Sequence, residues 1–435
     1  MRRPDTLDDA VALVRTSGLV DPDDLQRFLD LFARTGLGGG TADARLSPTG
    51  VLALMVEEGL LTRFQAHEIG AGRPHLWVGP YRVRDELGRG GMGRVFLADD
   101  PGGGLVAVKV LSAGLRDDLD ARTRFRKEAR AAAAAAHPNV VRLLAAEPNH
   151  DPPFLVMEYV DGVSLQAAVA RHGTFAAGEA AAVGVGVAAG LAPAAAVGLV
   201  HRDIKPANVL IARAGGVKVL DLGVARFESD PLSRRYDATV VVGTVDYLAP
   251  EQAEDSSTVG PAADQYGLGA TLYFLLAGHP PFPEPDLGRK LALKADSDPA
   301  PLTGLRPDVP AGLAAVVAKL MARRPADRYP TPAAAAAALA PWADVGPNFP
   351  ARLFRATAGA DPPGPPTEGG ADPSVTPPPP TRRIVRPTPP RPVLPPADAP
   401  PPVADEGGSS TLRLAPQSLP GWWVNAARWL GKWRR

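Results

Sequence analysis

The run HRDIKPANVL, His201 to Leu210, sets a carboxylate, an ammonium and a side-chain amide within six residues of one another. Phosphoryl transfer asks little covalent chemistry of a protein; positioning and charge neutralisation do the work. Asp203 can accept the proton of an acceptor hydroxyl and aim its oxygen. Lys205 can neutralise a migrating phosphoryl group, and Asn208 can offer Mg²⁺ a neutral oxygen. Thirteen residues after Asn208 comes DLG, where Asp221 supplies a charged metal ligand and Gly223 permits a turn.

A second group of residues lies earlier. In LGRGGMGRV, Leu87 to Val95, the glycines Gly88, Gly90 and Gly93 let backbone amides approach phosphate oxygens with no Cβ in the way. A plain hairpin turn would use the same glycines, and dinucleotide folds place a similar spacing before a helix. Here a second strand-like run follows instead. Fourteen residues past Val95, VAVK ends in Lys109, on the strand face opposite Val106 and Val108. An ammonium held there can reach nucleotide phosphates if an acidic partner fixes its rotamer. Glu128, in the helical stretch RTRFRKEARAAAAAA, is the candidate.

These residues need two kinds of support. Short β-type runs at 81–87, 94–98 and 105–111 would carry the glycine turn and Lys109. Longer helical segments from Ser164 to about Ala343 would carry the rest, so the fold class is α+β with two lobes. Residues 1–75 form a separate, slightly acidic helical region: Leu7, Val11 and Val14 recur at helical spacing, as do Leu25, Phe28, Leu29 and Phe32. It reads as a packing unit or a recruitment module. Pro193 and several glycines make the stretch before His201 a poor helix former whose order must come from packing.

From 350 the chain turns Pro/Thr/Ala-rich, with 18 prolines between Pro362 and Pro402. Such a segment buries too little apolar area to offset chain entropy and is expected to be a disordered linker over 350–420. The last stretch, 421–435, sets Trp422, Ala426, Trp429 and Trp433 on one helical stripe with arginines between them. It suits either peripheral contact with anionic lipid or a short partner-binding tail.

Composition narrows the classes. With 47 basic and 47 acidic residues the formal charge is zero, which argues against a nucleic-acid binder. No cysteine is present, so disulfides, thiolate metal sites and cysteine nucleophiles are excluded. Only eight of the 47 basic residues are lysine, so each lysine carries more information than usual. Neither a secretory signal nor a run of ~20 apolar residues is evident, and a cytoplasmic location is expected.

Taken together, residues 81–343, about 60% of the chain, resemble the eukaryotic-type (Hanks-type) protein kinases, and within them the bacterial serine/threonine branch. The resemblance implies a bilobal kinase fold, with an N-lobe over 81–160 and a C-lobe over 161–343. It implies ATP and Mg²⁺ (with Mn²⁺ an alternative) as cofactors and proteins as substrates. Leu87, Gly88, Arg89, Gly90, Gly91, Met92, Gly93, Arg94 and Val95 then correspond to the glycine-rich loop. Lys109 corresponds to the phosphate lysine paired with Glu128. Met157 matches the gatekeeper and Glu158 to Val160 the hinge, with Ala107 and Leu210 also in the nucleotide site.

By the same resemblance Asp203 is the catalytic base, Lys205 its neighbour on the migrating phosphate, and Asn208 and Asp221 the metal ligands. Thr244, in GTVDYLAPEQ, faces the catalytic loop and helps position the peptide. Glu251 pairs with Arg328 in a structural bridge, and Asp264 anchors the catalytic-loop backbone. Lys205 and Thr244 are the serine/threonine pattern. Arg202, beside the base, suggests control by phosphorylation of the activation loop, with Thr239, then Ser233 and Ser229, as candidates. Dimerisation for trans-autophosphorylation would accompany that control. DLG in place of DFG keeps the metal ligand. A pseudokinase scaffold is the alternative, although such proteins typically lack one of Lys109, Asp203 or Asp221. A small-molecule kinase would have no use for the peptide-positioning segment.

Overall fold

The computed structural model describes residues 2–34, 47–90, 93–134, 136–220, 226–227, 245–254, 259–346, 349–355 and 412–413. Gly91, Met92, Asp221, Ser229, Ser233, Thr239, Thr244 and the 421–435 tail lie outside these residues.

Four helices open the chain: α1 (Leu7–Ser17), α2 (Pro22–Arg34), α3 (Pro48–Glu57) and α4 (Arg63–Gly70). Their starts follow from local chemistry. Thr6 caps α1 and Thr62 caps α4, each in a reciprocal box with the residue three positions on, Asp9 and Gln65. These pairs satisfy amides that the first helical turn leaves without partners. The cap of α4 does a second job. Thr62 Oγ1 donates to the carbonyl of Arg84 at 2.5 Å, and Gln65 Nε2 donates to that of Val83 at 2.7 Å.

The carbonyls just named belong to β2 (Tyr81–Gly90), which follows the short β1 (Trp77–Val78). With β3 (Gly93–Asp99), β4 (Leu105–Leu111), β5 (Leu143–Glu147) and β6 (Phe154–Glu158) it builds an antiparallel sheet. The strand order is β1-β2-β3-β4-β6-β5, and Leu412–Arg413 adds a last short strand along β5. Alternation divides β4 between two cores. Val106, Val108 and Val110 join Phe96, Phe154 and Val156 in a cluster with Val14, Leu25, Val51, Leu52 and Met55 of the helices. Leu111 faces the other way, with Leu155, onto Phe125 and Ala129 of α5 (Leu119–Ala134). The opening helices and the sheet therefore share one hydrophobic core.

Below lies a helical lobe centred on two long helices, α7 (Ala177–Ala196) and α9 (Ala262–Ala277), with the short α8 (Pro250–Glu254) between them in the chain. Helix α7 continues through Pro193 despite its composition. Its glycines are points of close approach: a Cβ at Gly184 would stand 2.8 Å from Leu339 Cδ1, and one at Gly186 2.9 Å from Val217 Cβ. Helix α7 has the length and apolarity of a membrane span, but Ala180, Val183, Val187 and Leu191 are buried in the core of this lobe. The α6 helix (Leu165–His172), the short β7 (Gly162–Ser164) and the hairpin of β9 (Val209–Ala212) and β10 (Val217–Val219) complete the side that faces the sheet, and β8 (Leu199–Val200) leads into the His201 loop.

Where composition places a free linker from 350, residues 349–355 instead pack onto this lobe. Leu353 is buried in its core, Arg352 Nε donates to Glu179 at 2.8 Å, and Phe349 meets Phe175 edge-on. The apolar content of NFPARLF, short as it is, outweighs the proline signal around it.

Candidate active site

On β4, register sets Val95 opposite Lys109, and Lys109 opposite Leu155. Lys109 falls on the face that meets α5, and its Nζ lies 2.6 Å from Glu128 Oε1. Both residues are buried, so the ion pair formed here resists screening by salt. In the glycine-rich hairpin Gly90 pairs with Gly93, and a Cβ at Gly93 would stand 2.0 Å from the carbonyl oxygen of Val110. The guanidinium groups of Arg89 and Arg94 both turn back to Glu86. These two cations hold the Glu86 carboxyl below the usual range against the upward push of its burial.

At the far end of the sheet, Met157 pairs with Ala107 and Glu158 with Val106. The Glu158 side chain accepts from the Arg142 amide and pairs with Lys218 on β10. It is thus committed to joining the two lobes, while its own amide donates to the Arg142 carbonyl at 2.9 Å. Leu210 on β9 sits half-buried and pairs with Lys218.

The His201–Asn208 loop is held from three sides. Asp264, on α9, accepts the amide hydrogens of His201 at 2.8 Å and Arg202 at 2.7 Å. Complete burial pushes the Asp264 carboxyl upward, while the nearby His201 and these two hydrogen bonds oppose the push. His201 is itself buried; its Nδ1 accepts the Asp203 amide at 3.3 Å, so Nε2 carries the proton and donates to the Leu220 carbonyl at 2.8 Å. That bond fixes the chain just ahead of Asp221. Gln252 closes the third side, donating to the Arg202 carbonyl at 3.1 Å. Arg202 adopts a positive φ of 68°, which a non-glycine residue holds only when its surroundings insist.

The result is a compact polar cluster. Lys205 Nζ lies 2.9 Å from Asp203 Oδ2, and Asn208 Nδ2 donates to the same oxygen at 2.8 Å. The other carboxylate oxygen, Asp203 Oδ1, is buried with no hydrogen-bond partner among the described residues. A buried acceptor of this kind is costly unless a ligand completes it, and a hydroxyl would do so. With Nδ2 of Asn208 committed to Asp203, its Oδ1 is the end that could meet a hard cation. Beside the cluster a small cavity is lined by Arg202, Asp203, Ile204, Tyr247, Leu248 and Gln252, among others.

The structure brings together Lys109 with Glu128, and Asp203 with Lys205 and Asn208. It also unites Glu251 with Arg328 in a two-pronged pair at 2.6 and 2.8 Å, with the arginine side chain fully buried. His201 and Gln252 were not singled out by the sequence reading. A buried histidine ahead of an acidic residue has no distinctive spacing, and only their partners in space reveal their part.

Residues 81–340 match the family model for the protein kinase domain. The chain belongs to the protein kinase family. A probable serine/threonine-protein kinase PkwA of Thermomonospora curvata is 40% identical over 216 residues, 49% of this chain and 28% of that protein. The serine/threonine-protein kinase PknB of Mycolicibacterium smegmatis is 40% identical over 262 residues, 58% of this chain and 41% of that one. PknB of Mycobacterium tuberculosis is 39% identical over 262 residues, with the same two shares. The chain thus spans less than half the length of the curated relatives it matches. The solved PknI kinase domain of M. tuberculosis aligns with 61% of this chain and 97% of its own, at 31% identity and a TM-score of 0.47.

Proposed function

We propose that this protein kinase moves the γ-phosphate of ATP onto serine or threonine hydroxyls of other proteins, and onto its own activation segment. The observation that carries the reading is the unpartnered, buried Oδ1 of Asp203 beside a lysine that neutralises its sister oxygen. Family membership and the serine/threonine kinases among its relatives support it. In this reading the acceptor hydroxyl donates its hydrogen bond to Asp203 Oδ1, which takes the proton as the oxygen attacks the γ-phosphorus. The bond from that phosphorus to the β–γ bridging oxygen breaks, and ADP departs. Lys205 meets the charge on the migrating group; Lys109, held by Glu128, meets the α- and β-phosphates. Hinge backbone at 158–160 would take the adenine, and the glycine-rich hairpin the phosphates.

Asn208 and Asp221 would hold Mg²⁺, which supplies charge neutralisation on the phosphate oxygens. Mn²⁺ fits the same oxygen donors. Arg202, next to the base, would receive a phosphate placed on Thr239, Ser233 or Ser229, and a second copy of the chain would place it. The pseudokinase alternative finds little support, because Lys109, Asp203, Asn208 and Asp221 are all present. Transfer of labelled phosphate to myelin basic protein with Mg²⁺, compared with Asp203→Asn, tests the reading. The exchange should cost about 10²–10⁴-fold in kcat, the usual worth of a positioned base. Equal turnover by the two proteins would refute it.

A further inference from the structure

Helix α10 (Leu287–Asp296) carries a lysine in an unusual setting. Lys294 is 2% exposed, among the most deeply buried large side chains described. Its Nζ donates to the carbonyl of Asp246 at 2.9 Å and to that of Leu248 at 2.8 Å. The rings of Tyr266 and Phe282 lie 5.2 and 6.0 Å from the same nitrogen. One turn earlier, Lys290 Nζ meets the Asp246 carboxylate at 2.5 Å. Two of the chain's eight lysines therefore grip one three-residue stretch, the first by its side chain and the second by its backbone.

That stretch forms a wall of the small cavity beside Asp203, through Tyr247 and Leu248. From behind, the Tyr247 ring rests edge-on against Phe274 of α9. The segment itself has little regular structure, with Leu248 N reaching the Val245 carbonyl only at 3.4 Å. Its shape is imposed from outside, and Lys294 supplies two of the bonds that impose it.

We infer that Lys294 is a positioning residue for the acceptor: it holds 246–248 in the shape that seats the peptide next to the hydroxyl facing Asp203. The inference rests on the kinase reading above. A fold-only role explains the residue poorly, since an apolar side chain of similar volume is usually at least as stable as a buried ion. Burial pushes the Lys294 ammonium down to about 7, with Asp246 raising it and Lys290 lowering it further. Among the described residues, Tyr266 on the far side also senses the Arg328–Glu251 pair and Asp298. As pH rises through 7 the amine keeps two N–H donors but loses its charge, and its bonds to the two carbonyls weaken.

Lys294→Met keeps the stem and removes the head. The acceptor KM, measured with myelin basic protein, should rise about tenfold, the signature of lost acceptor binding, with the ATP KM unchanged. Hydrogen exchange at the 245–249 amides should accelerate in the variant, while α9 amides keep their rates. In the unsubstituted protein the acceptor KM should climb between pH 6 and 8 with the ATP KM flat, a readout that stands even if the variant does not fold. An unchanged acceptor KM in the variant overturns the inference, as do parallel rises in both KM values or a flat pH profile. Failure to phosphorylate any protein would instead sink the kinase reading, and the exchange rates would still decide what Lys294 holds in place.

Discussion

Deleting residues 1–75 should cripple the kinase domain, although the family match begins at residue 81. The sheet side chains Val83, Phe96, Val108, Phe154 and Val156 share their core with the opening helices. Full exposure of such a side chain costs about 1.5–3 kcal/mol, so uncovering each by half costs roughly 5 kcal/mol in sum. A folded domain has only about 5–15 kcal/mol in hand. Lost with the helices are the bonds of Thr62 and Gln65 to the Arg84 and Val83 carbonyls on the strand that leads into the glycine-rich hairpin. Differential scanning fluorimetry of 76–435 against the full chain reads the result. A fall of about 10–20 °C is expected at the usual 2–4 °C per kcal/mol, or an insoluble product. Met55→Ala, at a fully buried position of the helices, gives a graded version at about 2–5 kcal/mol. Should 76–435 melt within a few degrees of the full chain, the shared core contributes nothing and the reasoning fails.

Other outcomes follow from the site. Glu128→Ala removes the carboxylate that meets the buried Lys109 and should raise the ATP KM at least tenfold with the acceptor KM steady, measured by steady-state kinetics. Arg328→Ala removes the guanidinium from a buried pair and from three backbone carbonyls; a loss of about 3–5 kcal/mol in urea unfolding is expected. Lys294 also has a stability signature. Its folded value near 7 lies below the ordinary lysine value, so between about pH 7 and 10 the unfolded chain binds more protons. Its contribution to stability therefore improves as pH rises through that window, and Lys294→Met should flatten the rise in urea midpoints from pH 7 to 9.

Much of the fold was legible because its punctuation is local. The glycine hairpin and the alternation around Lys109 are short-range signals that tertiary packing had no reason to overrule. Pairs distant in the chain, such as Glu251 with Arg328, could be named only through resemblance, since no spacing rule links positions 77 residues apart. Three features escaped. The docking of helices 7–70 on the sheet leaves no mark in either pattern taken alone, because each face looks like an ordinary amphipathic one. Helix α7 reads as poor by propensity, yet its glycines are what admit Leu339 and Val217 so closely. Lys294 sits in an ordinary amphipathic helix; the scarcity of lysine in an arginine-rich chain was the one available hint.

The shared core also bears on how the chain comes to be folded at all. Synthesis delivers the four helices ahead of the strands that complete the cover of Val14, Leu25 and Met55, which end only at residue 158. Until β6 has left the ribosome the core shared by helices and sheet stays incomplete, so residues 7–158 reach their final packing together. A chaperone that shields nascent apolar helices would find its longest engagement there.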